Sequence, residues 1–438
     1  MNLLFINDKK GQYPNSWYHA TARPISPMPA LKGDIRADVC VVGGGFTGLS
    51  SALHLAQMGY QVVLLEGQRV GFGASGRNGG QVGHGHNIDQ RSLEKKLGRA
   101  DARMLWDIAD ASITLTRELA EKHAPDAHFK PGHGAAYFSG SETDAARKDR
   151  DYLARYYGFD QSEYLDKAAT AEIIGTDQYS GMVLDHKGGH LHPLNLALGL
   201  ARAALAAGVR LFETSCVNQI IEGKTASETS LVKTAEGSVR ADYVVLACNG
   251  YSSAGNAKVS RRVMPLNNYL VATEPLGEDA AKILTRDICV YDSLFVLNYY
   301  RLSHDNRLIF GGGESYGAKF PADIAAKVRK PMLKLFPQLN EVRIDYAWGG
   351  TLGITTNRMP YFGRVAPNIL NASGYSGHGV ALATLAGDII AQAIHGQSAR
   401  FDVMARVPTL PFPGGRFLSQ PILGLAMSWF ALRDRLGL

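Results

Sequence analysis

Three glycine-rich segments carry the residues whose types and spacing could do chemistry. The first is the motif Gly43-x-Gly45-x-x-Gly48, and Glu66 follows 23 residues after Gly43. Glycines at this spacing allow a tight turn, close approach of a pyrophosphate and close packing of a helix, and the acid accepts from a ribose hydroxyl. An acid here disfavours a 2′-phosphate and so argues against NADP. The predicted nucleotide contacts in this segment are Gly43, Gly45, Phe46, Thr47, Gly48 and Glu66.

The second segment follows Glu66 at once and reads GQRVGFGASGRNGGQVGHGH over residues 67–86. A nicotinamide domain would continue here with a helix or a third strand, whereas a long glycine loop offers backbone amides to a pyrophosphate and to the edges of a flavin ring. The alternative, a flexible surface loop, is disfavoured by the Arg-Asn-Gly-Gly turn. The predicted FAD contacts are Gly73, Ala74, Ser75, Gly76, Arg77, Asn78, Gly79, Gly80 and Gln81.

The third segment, GYSGHGV at residues 374–380, opens a helix near the other end of the chain. Free N–H groups and the positive end of the helix dipole suit the pyrimidine edge of a reduced, anionic flavin. His378 receives no acid–base role, since it could equally make only local bonds. The predicted contacts are Gly374, Ser376, Gly377, His378, Gly379 and Val380. Gly250, at the end of the core-like strand of residues 243–250, is a further candidate.

A strand, helix and second strand must position the first glycine motif. Val39 to Val42 is a continuous valine-rich run of the kind buried in a parallel sheet. The next segment places Leu49, Ala52, Leu53 and Ala56 on one helical face, and Gly59 stops that helix. A second strand over residues 61–65 leads to Glu66. The pattern predicts a Rossmann-type α/β unit, within a chain that is α+β overall.

Length and composition limit the remaining choices. A chain of 438 residues predicts two lobes that share one cleft, and 45% hydrophobic with 20% charged residues excludes a disordered protein. The net charge of +6 comes from scattered residues, so no nucleic-acid partner is expected. Four well-separated cysteines predict neither a metal site nor a disulfide framework. They favour buried thiols in a reducing compartment, and the start of the chain lacks a leader pattern, so we expect a cytoplasmic protein.

No apolar run is long enough to span a bilayer. Residues 421–432 read PILGLAMSWFAL and form the most apolar stretch near the carboxyl end. A docked helix is the favoured interpretation of this stretch, and weak peripheral contact with a membrane is the alternative. The oligomeric state is not predicted.

Several segments together resemble the D-amino-acid oxidase/glycine oxidase superfamily of flavoproteins, over nearly the whole chain. They are DVCVVGGGFTGLSSALHLA from residue 38, GFGASGRNGGQ from 71, DYVVLACNGY from 242, WGGTLGITTNRMPYFGR from 348 and GYSGHGVALATLAG from 374. The resemblance implies a discontinuous FAD-binding domain, here residues 1–95, 190–260 and 340–438. It also implies a substrate domain with a large mixed, mostly antiparallel sheet, here residues 96–189 and 261–339. Val217, in the strand expected after the helix of residues 193–208, resembles the position that contacts adenine through its backbone.

The chemistry that the resemblance implies is oxidation of the CH–NH2 bond of a primary amine. The imine would hydrolyse to an aldehyde and ammonia while O2 is reduced to H2O2, and gamma-glutamylputrescine or a related polyamine derivative is the expected substrate. FAD carries the redox chemistry, so no acid–base residue is required. Two alternatives stay open: a dehydrogenase that passes electrons to a quinone or another acceptor, and a protein whose FAD is structural or sensory.

One departure from the superfamily pattern narrows the substrate. Several α-amino-acid oxidases hold the substrate carboxylate with an arginine in the tryptophan segment, and Leu352 stands at that position here. Loss of a bidentate clamp points to an amine without an α-carboxylate. The flavin-linking cysteine of sarcosine-oxidase relatives would also fall near Leu352, so FAD is predicted noncovalent, with a histidyl link at His84 or His86 as the alternative. Arg301 is predicted to meet a distal carboxylate, and the pocket candidates are Trp348, Leu352, Tyr300, Arg301, Glu314 and His84.

Overall fold

The computed structural model describes residues 2–225, 227–251 and 256–413. The strands of these residues are, in chain order, β1 (Gly33–Val42), β2 (Val62–Leu65), β3 (Gln81–Val82), β4 (Lys130–Tyr137), β5 (Ser162–Asp166), β6 (Gly181–His190), β7 (Arg210–Phe212), β8 (Gln219–Ile221), β9 (Ser230–Lys233), β10 (Gly237–Leu246), β11 (Met264–Thr273), β12 (Cys289–Asp292), β13 (Tyr299–Leu302), β14 (Leu308–Ser315), β15 (Ile344–Ile354), β16 (Tyr361–Ala366) and β17 (Ile369–Ser373). The α-helices are α1 (Leu3–Ile6), α2 (Trp17–Thr21), α3 (Phe46–Gln57), α4 (Gln90–Leu97), α5 (Arg99–His123), α6 (Gly140–Tyr157), α7 (Lys167–Ile173), α8 (Pro193–Ala206), α9 (Ala257–Ser260), α10 (Ile324–Leu335), α11 (Val380–Ile394) and α12 (Ala399–Arg406).

The first sheet has a parallel centre in the order β17-β10-β1-β2-β7. The strand β16 pairs with β17 in the antiparallel sense, and the hairpin of β8 and β9 is attached to β10. Residues Val39 to Val42 pair with β10 on one side and with β2 on the other, and they are buried. Valine-rich strands of this kind suit a sheet that is covered on both faces. The predicted βαβ unit therefore stands at the centre of this sheet.

The second sheet is mixed and mostly antiparallel, with the order β15-β11-β14-β13-β12-β4-β6-β3 and with β5 beside β6. Only the pair of β12 and β4 is parallel among its described strand pairs. Helix α10 packs against β11, β14 and β15 on one face. The two sheets confirm the predicted fold class, a Rossmann-type unit combined with a large mixed sheet.

The helices that cover the first sheet form one continuous core. Helix α3 packs against α8 and α11, and the 25-residue helix α5 packs against α8 and α11 in turn. Helix α11 is buried on nearly every side, because its apolar residues face α3, α5 and the sheet together. This packing fixes the amino ends of α3 and α11, which the glycine motifs precede.

Sheet membership differs from the predicted domain boundaries at three places. Strand β15 pairs with β11 in the second sheet although it follows residue 340, and β3 pairs with β6 although it precedes residue 96. Helix α5, predicted in the substrate domain, packs on the helices of the first sheet. The chain crosses from one sheet to the other near these boundaries. Hydrophobic patterning alone does not reveal where such crossings occur.

None of the described helices is long and apolar enough to cross a membrane. The apolar stretch 421–432 lies outside the described residues. Cys40, Cys216, Cys248 and Cys289 are all free, and Cys40 and Cys289 are fully buried.

Candidate active site

A cavity of about 420 Å³ is lined by residues of both sheets. Its walls bring together all three glycine segments, which are more than 300 residues apart between the first and the last. The predicted site residues that line it are Gly43, Gly45, Phe46, Thr47, Glu66, Gly73, Ala74, Ser75, Arg77, Asn78, Gly79, Gln81, His84, Val217, Glu314, Leu352, Ser376, Gly377, His378, Gly379 and Val380.

The first glycine motif is built so tightly that side chains could not replace its hydrogens. A Cβ on Gly48 would lie 1.9 Å from the carbonyl oxygen of Gly43, and a Cβ on Gly45 would lie 2.8 Å from Oγ of Ser75. Gly43 has a φ of 109° and faces the carbonyl oxygen of Ala247. Ser75 also accepts a hydrogen bond from the backbone N–H of Phe46 at 2.9 Å. The first and second segments therefore lock against each other at the start of α3.

Glu66 ends the second strand of the unit and points into the cavity. Its Oε2 accepts from the N–H of Gly44 at 2.7 Å, and its Oε1 accepts from the N–H of Gln68 at 2.8 Å. Burial outweighs these bonds and raises the pKa of this carboxyl to about 7. A ribose hydroxyl that donated to Glu66 would favour the charged form.

The loop of residues 73–81 is held by its own side chains and by the second sheet. Asn78 donates to the carbonyl oxygens of Ala74 and Ser75, and its Oδ1 accepts from the N–H of Gly80 at 2.7 Å. Arg77 is almost fully buried and donates to the carbonyl oxygens of Phe72 and Gly349. The backbone of this loop is thus rigid where it borders the cavity.

Two predicted pocket residues support this loop and do not line the cavity. Arg301 is 4% exposed and donates to the carbonyl oxygens of Gly79 at 2.9 Å and Leu191 at 3.1 Å. Trp348 donates from its indole N–H to the carbonyl oxygen of Arg77 at 2.9 Å. The structure therefore gives Arg301 a place under the loop, and its guanidinium is not available to a distal carboxylate.

Tyr300 points to the opposite face of the second sheet. Its side chain is 1% exposed, stacks on Phe310 and lies 3.3 Å, oxygen to oxygen, from Tyr179 in the core beneath α10. Tyr299, one residue earlier, lines the cavity in its stead. Successive strand residues face opposite sides, and this alternation decides which of the two tyrosines reaches the site.

Five further predicted glycines lie behind the cavity wall. Gly48, Gly76, Gly80, Gly250 and Gly374 do not line the cavity, yet a Cβ at each would come within 2.6 Å of a neighbouring atom. A side chain at Gly80, for example, would lie 2.0 Å from the carbonyl oxygen of Leu191. These glycines let neighbouring segments of the chain approach closely behind the cavity wall.

The third segment presents the amino end of α11 to the cavity. Gly379 caps the helix without a side-chain hydrogen bond, and Val380, Ala381 and Ala383 line the cavity. Free N–H groups at a helix start favour negative charge. Nε2 of His378 is buried without a hydrogen-bond partner among the described residues, and burial lowers the pKa of His378 to about 4. A neutral imidazole therefore faces the cavity at neutral pH.

His84 belongs to a group of aromatic and charged side chains beside the same wall. Its ring stacks on Phe159, and its Nε2 lies 3.3 Å from Oδ1 of Asp110, which Lys187 also contacts. The hydrogen bond from His84 is the largest cause that lowers the pKa of Asp110 to about 2. His133 also lines the cavity, and burial lowers its pKa to about 3.

The second sheet supplies an apolar wall where an α-amino-acid oxidase would carry its arginine. Leu352 on β15 stands opposite Leu266 on β11, and both line the cavity. Leu352 packs beside the buried cluster of Met264, Leu266 and Ile354. The substitution inferred from the sequence therefore lies on the cavity wall.

Polar residues that the sequence did not single out complete the cavity. On the next row of the sheet Asn268 stands opposite Glu314, and the hydroxyl of Tyr299 donates to Asn268. Arg358, in the turn after β15, also lines the cavity. Val217 lies on the wall in the connection between β7 and β8, not within a strand as expected. Tyr299 and Asn268 lie in strands that are covered on both faces, and Arg358 lies in a turn, so none of the three gives a periodic signal in the sequence.

The residues present fit FAD. Gly43 and Gly45 present bare backbone to the cavity, Gly48 lets α3 approach Gly43 closely, Glu66 lines the cavity after β2, and an uncapped helix start faces it. No group of described residues could hold a metal ion.

The chain belongs to the FAD-dependent oxidoreductase family DAO, whose model matches residues 38–393. It is an FAD-dependent oxidoreductase. It is 43% identical to a gamma-glutamylputrescine oxidoreductase of Escherichia coli (strain K12), over 97% of this chain and 99% of that protein. It is also 37% identical to a probable oxidoreductase OrdL of Rhizobium meliloti (strain 1021), over 96% of this chain and 97% of that protein.

Solved structures show the same fold at low sequence identity. Glycine oxidase from Geobacillus kaustophilus has a TM-score of 0.68 at 21% identity, with 82% of this chain and 95% of that chain covered. L-Proline dehydrogenase from P. horikoshii has a TM-score of 0.69 at 21% identity, with coverage of 86% and 96%. These likenesses support the two-sheet architecture.

Proposed function

We propose that the protein oxidises the CH–NH2 bond of a primary amine that carries no α-carboxylate, with gamma-glutamylputrescine or a related polyamine derivative as substrate. The imine hydrolyses to an aldehyde and ammonia, and O2 is the electron acceptor. Bound FAD supplies the two-electron acceptor for the amine. The amine enters as the neutral base, so no side chain of the cavity has to remove a proton from carbon.

The apolar wall of Leu352 and Leu266 carries this proposal. A carboxylate beside the reacting carbon would lie against these two leucines and lose its solvation there, which is unfavourable. A methylene chain instead gains from the same contact. The 43% identity to a gamma-glutamylputrescine oxidoreductase supports the same substrate class.

The FAD contacts are part of the proposal. Residues Gly43 to Thr47 and Glu66 would hold the nucleotide half, the loop 73–81 and the amino end of α11 would hold the ring, and Val217 would meet adenine. We further propose noncovalent FAD, because the two cysteines that line the cavity, Cys216 and Cys248, lie next to Val217 and the carbonyl oxygen of Val42 on the nucleotide side. The four free cysteines support a reducing, cytoplasmic location.

Anaerobic reduction of the bound flavin tests the substrate. The purified protein is titrated with gamma-glutamylputrescine, putrescine, longer polyamines, glycine and sarcosine, and the loss of flavin absorbance is followed. Rapid bleaching by gamma-glutamylputrescine and slow or absent bleaching by glycine are expected. Preference for glycine would contradict the role assigned to Leu352.

Peroxide yield tests the acceptor. One H2O2 for each amine consumed in air supports the oxidase, while turnover only with an artificial quinone would show a dehydrogenase. Acid precipitation tests the attachment of FAD, since a noncovalent flavin leaves the protein pellet colourless.

A further inference from the structure

We propose that Arg358 and Glu314 form a subsite for a zwitterionic α-amino-acid head group, in which Arg358 binds the α-carboxylate and Glu314 binds the α-ammonium of the glutamyl moiety. The inference rests on the proposed function and extends it from the reacting amine to the far end of the substrate. It assigns the recognition of the distal carboxylate to Arg358 in place of Arg301.

Arg358 presents a guanidinium that is uncommitted within the described part of the chain. It lines the cavity, and its described contact is the ring of Phe295, 5.6 Å from the guanidinium carbon to the ring centroid. No hydrogen bond or ion pair of its side chain occurs among the described residues. A guanidinium has five N–H donors in a fork that matches a carboxylate. An arginine without a partner in a cavity wall is therefore suited to bind an anion.

The turn around Arg358 is fixed from both sides. Oγ1 of Thr355 donates to the carbonyl oxygen of Met359 at 2.7 Å, and Oδ1 of Asn357 accepts from the N–H of Met359 at 3.1 Å. Nδ2 of Asn357 donates to the carbonyl oxygen of Pro408 at 2.8 Å. Arg358 itself adopts a φ of 63°, a conformation that is uncommon for a side chain of this size. The protein maintains this strained residue at the cavity, as is frequent at ligand sites.

Glu314 supplies the complementary charge from the second sheet. It lines the cavity near the end of β14, opposite Asn268. Its Oε2 accepts from the hydroxyl of Tyr316 at 3.1 Å, and no described donor reaches its Oε1. Burial raises the pKa of Glu314, so a cation beside it would favour its charged form. An ammonium group is the ligand that would satisfy it.

Both charged residues line the same cavity and are not paired with each other. No ion pair within 4.0 Å joins them in the described residues, and the charge of Arg358 only partly offsets the rise that burial causes in the pKa of Glu314. A ligand with one negative and one positive group on the same carbon can interact with both residues. The glutamyl head of gamma-glutamylputrescine has this form, and a methylene chain joins it through an amide to the reacting amine beside Leu352.

A set of four amines separates the two charges in the test. Gamma-glutamylputrescine carries both, its α-carboxamide derivative keeps only the ammonium, N-glutarylputrescine keeps only the carboxylate, and N-acetylputrescine keeps neither. We expect the wild-type kcat/KM to fall about tenfold to a hundredfold on loss of either charge, the range for a charge-assisted hydrogen bond. The dissociation constant of each amine, measured from anaerobic flavin spectra, should rise as kcat/KM falls.

Two variants assign the charges to residues. Arg358→Gln should lose the preference for gamma-glutamylputrescine over its carboxamide, and Arg358→Lys should recover part of it. Glu314→Gln should lose the preference for gamma-glutamylputrescine over N-glutarylputrescine. Arg364→Gln is the matched control, because Arg364 also stacks on a phenylalanine, Phe401, but is exposed on β16 away from the cavity. Glu341→Gln controls for loss of an exposed carboxylate.

The outcomes distinguish the subsite from the proposed function. If none of the amines reduces the wild-type flavin, the proposed function fails and the subsite fails with it. If the wild type oxidises all four amines with similar kcat/KM, the function stands and the subsite is refuted. Equal losses on all four amines in Arg358→Gln, with unchanged FAD content and thermal stability, would show that Arg358 shapes the cavity without reading the carboxylate.

Discussion

Nε of Arg301 donates to the carbonyl oxygen of Gly79 across 2.9 Å and so joins the second sheet to the flavin loop. The same guanidinium reaches the carbonyl oxygen of Leu191, where the chain enters α8. Loop, sheet and helix thus meet at one buried cation. Residues of the second sheet therefore position the loop of residues 73–81, and both sheets are needed to form the one cavity.

Arg301→Met should weaken FAD binding and leave the choice among amines unchanged. The variant removes hydrogen bonds from a buried charged donor to two carbonyl oxygens, each worth about 1.5 to 3 kcal/mol. We expect flavin content to fall about tenfold or more, measured by absorbance after dialysis. Arg286→Met, an exposed arginine, is the control. A selective loss of activity on carboxylate-bearing amines at full flavin content would instead restore Arg301 as an anchor.

Gly48→Ala should abolish FAD binding. The new Cβ would lie 1.9 Å from the carbonyl oxygen of Gly43, so α3 must move away from the strand that carries the motif. Gly140→Ala is the control, because nothing lies within 4 Å of a Cβ there and alanine is favoured in a helix. Flavin retention on gel filtration and thermal unfolding are measured for both variants. Full flavin content in Gly48→Ala would contradict the packing described here.

The nucleotide half of the site could be predicted from the sequence because its signal is local. The spacing of Gly43, Gly45 and Gly48 reports backbone contacts made within one βαβ unit, and the structure brings Glu66 to the same cavity. The loop 73–81 was recognised for the same reason. Gly76 and Gly80 mark places where its backbone approaches other backbone too closely for any side chain, and Gly79 lies against the ring of Tyr299.

The substrate half could not be predicted in the same way. Tyr299, Tyr300 and Arg301 are consecutive in β13, and only the fold decides which of them faces the cavity and which the core. Both faces of this strand are covered, so alternation of polarity gives no guidance. Arg358 lies in a turn whose position depends on contacts with Pro408, distant in sequence.

FAD affinity should increase as the pH rises through 7. Burial raises the pKa of Glu66 to about 7, and only its charged form accepts two backbone bonds and a ribose hydroxyl without a competing proton. At pH 6 about one tenth of the apoprotein carries the charged form, so the dissociation constant should be about tenfold larger than at pH 8. Fluorescence titration of the apoprotein measures this, and Glu66→Gln should flatten the profile.

The raised pKa of Glu66 predicts that the stability of the apoprotein changes with pH in the opposite direction to FAD affinity. The folded form retains a proton that the unfolded chain releases near its ordinary value of 4.5. This contribution is therefore fully present below pH 4.5 and is lost as the pH rises to about 7. Urea unfolding of the wild type and of Glu66→Gln measures how the free energy of unfolding of each apoprotein changes with pH. The same pH dependence in both would exclude Glu66 as the source.

Cys216 and Cys248 should be protected from alkylation by FAD. Both line the cavity beside Glu66 and Val217, whereas Cys40 and Cys289 are fully buried elsewhere. Burial raises the pKa of Cys248 to about 12, so Cys216 should react first in the apoprotein. Mass spectrometry after iodoacetamide treatment with and without FAD measures the protection. Equal labelling with and without FAD would contradict the proposed contact between adenine and Val217.

Leu352→Arg should turn the enzyme towards α-amino acids. An arginine on this part of β15 would enter the apolar wall opposite Leu266, where its fork could hold a carboxylate next to the reacting carbon. We expect anaerobic flavin reduction by glycine to become at least about tenfold faster, and reduction by gamma-glutamylputrescine to become slower by a similar factor. Leu352→Met preserves the apolar wall and should keep the wild-type preference. If Leu352→Arg retains FAD and still rejects glycine, then the apolar wall is not what excludes α-amino acids.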